Sequence, residues 1–169
     1  MVKKCIIIIT LILLFYAVPA EADETSFIIG SNYYNVLGVA SKMDVVPFID
    51  ENGRTMIPVR YLAYAVGVPE QGIYWKEDDQ EVYLFKEKTV ISLKCGETLC
   101  SIVQLKQKTY PSVFFENPDE FIGFVDAVKM DTVPVLRNDR VFLPARYVAE
   151  VFGYEVQWLD PKLYLWPQY

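Results

Sequence analysis

The 169-residue chain contains no histidine. That removes the commonest general base and the commonest zinc or copper ligand at once. Cysteine is scarce as well: Cys5 lies in an apolar leader, and Cys95 and Cys100 are the remaining pair. Two thiols without imidazole make too small a set for a structural zinc site, and their C-x4-C spacing is not the CxxC of redox proteins. Positive charge is also sparse. Sixteen Lys and Arg stand against 22 Asp and Glu, for a net charge of −6 with no basic cluster, which argues against nucleic acid as a partner. Long apolar runs are missing except one, Ile6 to Val18, and that falls short of the ~20 residues a membrane span needs. What the chain does have is an ordinary globular balance, 53% hydrophobic and 22% charged, rich in Tyr and Phe.

The leader has the grammar of a secretory signal. Lys3 and Lys4 precede the apolar run, and Ala20-Glu21-Ala22 supplies a small-x-small cleavage pattern. Residues 1–22 are expected to direct export and to meet the membrane only then; cleavage and retention as an anchor both remain open. The protein is accordingly expected outside the cell, associated with the envelope.

Self-comparison organises the rest. Met43-Asp44-Val45-Val46-Pro47 recurs as Met130-Asp131-Thr132-Val133-Pro134. Arg54, Pro58, Arg60, Tyr61, Ala63 and Gly67 then match Arg140, Pro144, Arg146, Tyr147, Ala149 and Gly153, with one single-residue gap. Upstream, the Gly30 and Gly96 turns correspond; downstream, Tyr74-Trp75 corresponds to Gln157-Trp158. Gly96 lies much farther from Met130 than Gly30 does from Met43, so the second copy carries an insertion at about 105–126. The copies span 27–89 and 93–169, as two units or as one compact domain.

Each copy reads as strands around a glycine turn, a hairpin, a short helix and a closing hairpin. Asn52-Gly53 and Asn138-Asp139 are turn residues that tolerate positive φ. Pro58 and Pro144 suit the first helical position. Val59, Leu62, Ala63 and Val66, and likewise Ala145, Val148, Ala149 and Phe152, have helical spacing, ended by Gly67 and Gly153. The expected fold class is α+β: two tandem copies of a small antiparallel sheet packed on a short helix.

The string from Gly30-Ser31-Asn32-Tyr33 through Met43-Asp44 to Asn52-Gly53-Arg54-Thr55-Met56-Ile57-Pro58-Val59-Arg60-Tyr61 resembles the copper amine oxidase N-terminal-like domain, or stalk domain. The resemblance covers nearly all of 27–169 in two copies. It implies a small sheet wrapped on a helix in exported and surface proteins of Gram-positive bacteria. In the oxidases this stalk is an appendage remote from the copper and quinone, so the resemblance implies neither oxidase activity nor a cofactor.

Several residues suit a site and, equally, a structural role. Arg54, Arg60, Arg140 and Arg146 present donors for an anionic ligand, or pair with Asp44 and Asp131 as fixed parts of the repeat. Asp44, Asp131, Glu77, Asp78, Asp79 and Asp160 supply carboxylates for glycoside hydrolysis, or occupy turns where Asp is locally favoured. Cys95 and Cys100 in an exported chain suggest a disulfide. In the insertion, Tyr110, Phe114, Phe115, Phe121 and Phe124 form either a partner-binding loop or a cover for an open sheet end. The resulting expectation is a non-catalytic envelope module without metal or cofactor, contacting an unidentified protein or wall polymer. A secreted wall-polymer enzyme, or an accessory or inhibitor subunit of one, is the alternative.

Overall fold

A computed structural model describes residues 24–168. The expected signal peptide, residues 1–22, lies outside them. The first half contains β1 (Thr25–Ile28), β2 (Tyr33–Val36), β3 (Val39–Lys42), β4 (Phe48–Ile49), β5 (Thr55–Pro58), α1 (Val59–Ala65), β6 (Ile73–Lys76) and β7 (Glu81–Lys86). The second repeats that order with β8 (Thr89–Lys94), β9 (Leu99–Leu105), α2 (Pro111–Glu116), α3 (Pro118–Phe121), β10 (Ile122–Lys129), β11 (Val135–Arg137), β12 (Arg140–Pro144), α4 (Ala145–Val151), β13 (Tyr154–Leu159) and β14 (Lys162–Pro167). The chain is thus α+β and predominantly antiparallel. Among the described residues no helix is long and apolar enough to cross a membrane.

The halves are interlocked. Three sheets run in the orders β13-β14-β1-β2-β3, β10-β9-β8-β7-β6 and β11-β12-β5-β4. The closing hairpin of each half therefore joins the opening strands of the other, through β14 on β1 and β7 on β8. Where the sequence suggested a sheet belonging to each copy, every sheet contains strands from both. In the central sheet Phe142↔Pro58, Leu143↔Ile57 and Pro144↔Met56 are paired, a register symmetric about Leu143 and Ile57. Antiparallel pairing has a local twofold axis normal to the sheet, so the two halves are related by a near-twofold rotation through that pair. One core runs through both halves, with Phe27, Leu62 and Leu84 packed in the same cluster as Leu143, Val148 and Leu165.

Local chemistry repeats as well. The Met43 N–H donates to the Asn32 carbonyl at 2.7 Å, and the Met130 N–H to the Thr98 carbonyl at 2.7 Å, which fixes both Met-Asp segments against their glycine turns. Pro58 and Pro144 end a strand and precede the helix, one position earlier than the expected first helical residue. At the far end Gly67 (φ +76°) turns the chain out of α1, while the Val68 N–H bonds the Ala63 carbonyl at 2.8 Å. The single-residue gap in the repeat falls at the central hairpins. Asn138 and Asp139 both adopt positive φ between the paired Arg137 and Arg140, the tight two-residue turn expected of them. In the first half only Gly53 does so; Asp50 accepts a bond from the Gly53 N–H and donates to the Arg54 carbonyl, making a loop one residue longer.

The insertion does not leave the fold untouched. It lengthens the β9–β10 hairpin beyond its short β2–β3 counterpart and tips it with α2 and α3. Phe114 and Phe121 are each 6% exposed and form a second core cluster with Phe85, Val90 and Leu105. Phe115 packs at 4.7 Å from Tyr74 and 4.9 Å from Tyr83, between ring centroids. For these three rings the covering role holds over the recognition role. Tyr110 and Phe124 remain exposed, at 43% and 62%.

Candidate functional site

The duplicated arginines and aspartates meet, but across the halves rather than within them. Arg54 donates its Nε to both oxygens of Asp131 at 2.9 Å, and its terminal nitrogen also contacts Asp131. Reciprocally, the Arg140 Nε lies 2.9 Å and its terminal nitrogen 2.8 Å from Asp44 Oδ2. A tyrosine completes each clamp. Tyr61 donates its hydroxyl to Asp44 at 2.9 Å and accepts the Asp44 N–H at 3.0 Å; Tyr147 does the same for Asp131, at 2.8 and 3.1 Å. Each clamp joins the start of one central strand to the Met-Asp segment of the other half. Tyr61 and Tyr147 were visible as repeat identities, and their invariance between copies was the available signal for this role.

The guanidinium and phenol donors hold both carboxyls below the usual carboxylate range, Asp131 at about 2 with Arg54 the larger cause. Since the folded value lies below the ordinary 3.8, the contribution to stability is complete above 3.8 and is lost as pH falls toward about 2. Removing Arg54 should raise the native titration midpoint of Asp131 and move the onset of acid unfolding to higher pH. NMR titration of the Asp131 carboxyl in Arg54→Gln tests this, and an unchanged midpoint would show that the pair has no influence in solution.

Arg60 and Arg146 lie outside the clamps. Arg146 approaches Glu150 at 3.9 Å. Position 64, equivalent to Glu150, is a tyrosine, and Arg60 makes no ion pair or hydrogen bond among the described residues. Each lines a cleft beside a clamp. The first, about 330 Å³, is bounded by Arg54, Arg146, Tyr147, Trp158 and Leu163. The second, about 410 Å³, is bounded by Arg140, Arg60, Tyr61, Trp75 and Val82. These are the same repeat positions, so one site occurs twice. Sequence reading aligned Trp75 with Trp158 but had no means of placing them next to arginines from a distant hairpin.

Other candidates do not assemble a reactive site. Asp79 pairs with Lys76 at the β6–β7 turn, and no group of three Cys, Asp or Glu disposed to hold a metal occurs among the described residues. No buried side-chain nitrogen or oxygen among them lacks a hydrogen-bond partner. Cys95 and Cys100 are free thiols rather than a disulfide. Cys100 is paired with Leu93, which places Cys95 diagonally from it; diagonal neighbours lie about 7 Å apart, against about 3.8 Å between the Cβ atoms of a disulfide. Burial raises both thiols, Cys100 to about 12. A thiol reagent should therefore label Cys100 only after denaturation and Cys95 slowly before it. Intact-mass detection of a protein two hydrogens lighter would show a bond instead.

The copper amine oxidase N-terminal domain family matches residues 35–162, and the chain belongs to that family. No curated protein and no solved structure gives a significant match. Copper itself does not suit the residues present: the chain has no imidazole, and the carboxylates and thiols of the described residues form no group of three that could hold a metal ion.

Proposed function

We propose that this protein is an exported, non-catalytic module of the cell envelope, built from two copies of one unit with exchanged closing hairpins, that holds a protein or wall polymer. The observation carrying this reading is the pair of reciprocal Arg–Asp–Tyr clamps. The most regularly repeated polar residues are engaged in joining the halves, as in a scaffold. Arg54 and Arg140 lie three residues to either side of the Ile57–Leu143 pair, so the clamped carboxylates stand ~20 Å apart along the strands. Glycosidase carboxylates lie about 5–9.5 Å apart, with one kept protonated; here both are held ionised. A wall-polymer hydrolase is thus disfavoured on geometry.

The test incubates mature protein with purified cell-wall sacculi. Co-sedimentation without release of reducing sugar or peptide supports the reading. Multiple-turnover release, or hydrogen peroxide formed from added amines, would replace it with the enzymatic alternative.

A further inference from the structure

We infer that the two clefts are a bivalent binding site for an acidic glycan, each taking one sugar ring that bears a carboxylate. This rests on the envelope-module reading and names the ligand class it leaves open.

Three features of each cleft converge on that chemistry. A tryptophan lines each cleft, Trp75 half-buried and Trp158 39% exposed, supplying an aromatic wall. Apolar neighbours, Val82 and Ile73 in one and Leu163 and Val156 in the other, extend it. Arg60 or Arg146 supplies a guanidinium outside the clamps, in a chain whose net charge is −6. A planar fork of donors beside an aromatic face matches a ring with one flat apolar side and an equatorial carboxylate. The cleft volumes fall at the small end for ligand sites, suited to one or two rings rather than a folded partner.

The clamps neutralise Arg54 and Arg140, so the charge that recognises the ligand is the remaining arginine. Each is only partly offset. Asp139 lies on the second cleft, and Glu150 approaches Arg146 at 3.9 Å.

Because the near-twofold axis is normal to the central sheet, both clefts open on the same face of it, ~20 Å apart by the strand register. The rotation reverses polarity between them. A directional polymer therefore meets the two clefts in opposite senses, and two antiparallel strands satisfy both. The protein is then expected to bridge chains.

Titration calorimetry with digalacturonate, too short to reach both clefts, should give two sites per protein. Arg60→Gln and Arg146→Gln should each leave one site, and the double variant none, with far-UV circular dichroism unchanged. Methyl-esterified digalacturonate should bind about tenfold more weakly or worse, because the ester removes the charge that the arginine pairs with. Polygalacturonate should be cross-linked by the wild-type protein, seen as a rise in light scattering, whereas each single variant should bind it without cross-linking, because bridging needs both clefts. Absence of digalacturonate binding, equal binding of ester and acid, or binding unaffected in the double variant overturns the inference. The double variant also separates the two readings. If it still sediments with sacculi, the module reading stands and the glycan assignment falls; if wild type fails to sediment but binds digalacturonate at two sites, the clefts stand and the wall is the wrong target.

Discussion

Residues 24–88 expressed alone should not fold. Their three central elements each lack a partner: β1 loses β14, β5 loses β12, and β7 loses β8. What remains is a short meander and two hairpins, and an isolated hairpin is marginally stable at best. The half-core would expose Phe27, Ile57, Leu62 and Leu84, each fully buried in the whole chain. Amide chemical-shift dispersion is the readout, with collapse of the dispersion expected for the fragment. Mixing it with 89–168 should restore native dispersion, since the strands on both sides of every exchange are then present. A fragment that melts cooperatively by itself would mean that each half closes its own sheet, contrary to the observed register.

Phe114→Ala should lower stability by about 3–5 kcal/mol, the usual cost of truncating a buried phenylalanine. Domains of this kind have only about 5–15 kcal/mol in total. The ring is T-shaped to Phe85 at 5.4 Å and to Phe115 at 5.3 Å, so its loss also loosens the link between the insertion and β7. The corresponding fall in Tm is about 10 °C, from about 2–4 °C per kcal/mol at this size. Phe124→Ser, at an exposed edge position, should stay within about 0.5 kcal/mol. Differential scanning calorimetry on both variants decides the matter. Equal, small effects would return all the insertion's aromatics to the role of a free loop.

The sequence comparison located most of the elements because the repeat supplied each twice. Helical spacing, the glycine stops and the turn residues are local signals, and local signals were legible. Partner choice was not. Val82–Phe85 has the same alternation whether β7 lies beside β1 or beside β8, so the hairpin exchange left no trace in periodicity. The clamps show the same limit. Pairing of the arginines with Asp44 and Asp131 was legible from the repeat, but not which arginine meets which aspartate; the near-twofold arrangement brings Asp131 to Arg54. The rings of Phe114 and Phe121 had no counterpart in the first half against which to judge burial, which is why loop and core remained open there. Cys95 and Cys100 were close in sequence, and only the strand register put them on a diagonal.

One pairing has mechanical meaning. β1 and β14 are antiparallel, with Thr25 opposite Leu165 and Ile28 opposite Lys162. Tension applied through the residues before Thr25 and after Pro167 therefore enters both strands at the same end of the ladder. The bonds are then drawn apart in succession, as in a zipper, rather than sheared together. Pulled this way in an optical trap, the protein should open at low force and release β1 first. The same molecule gripped through its clefts would be loaded across the clamped central sheet instead, so its tensile strength depends on the direction of pull.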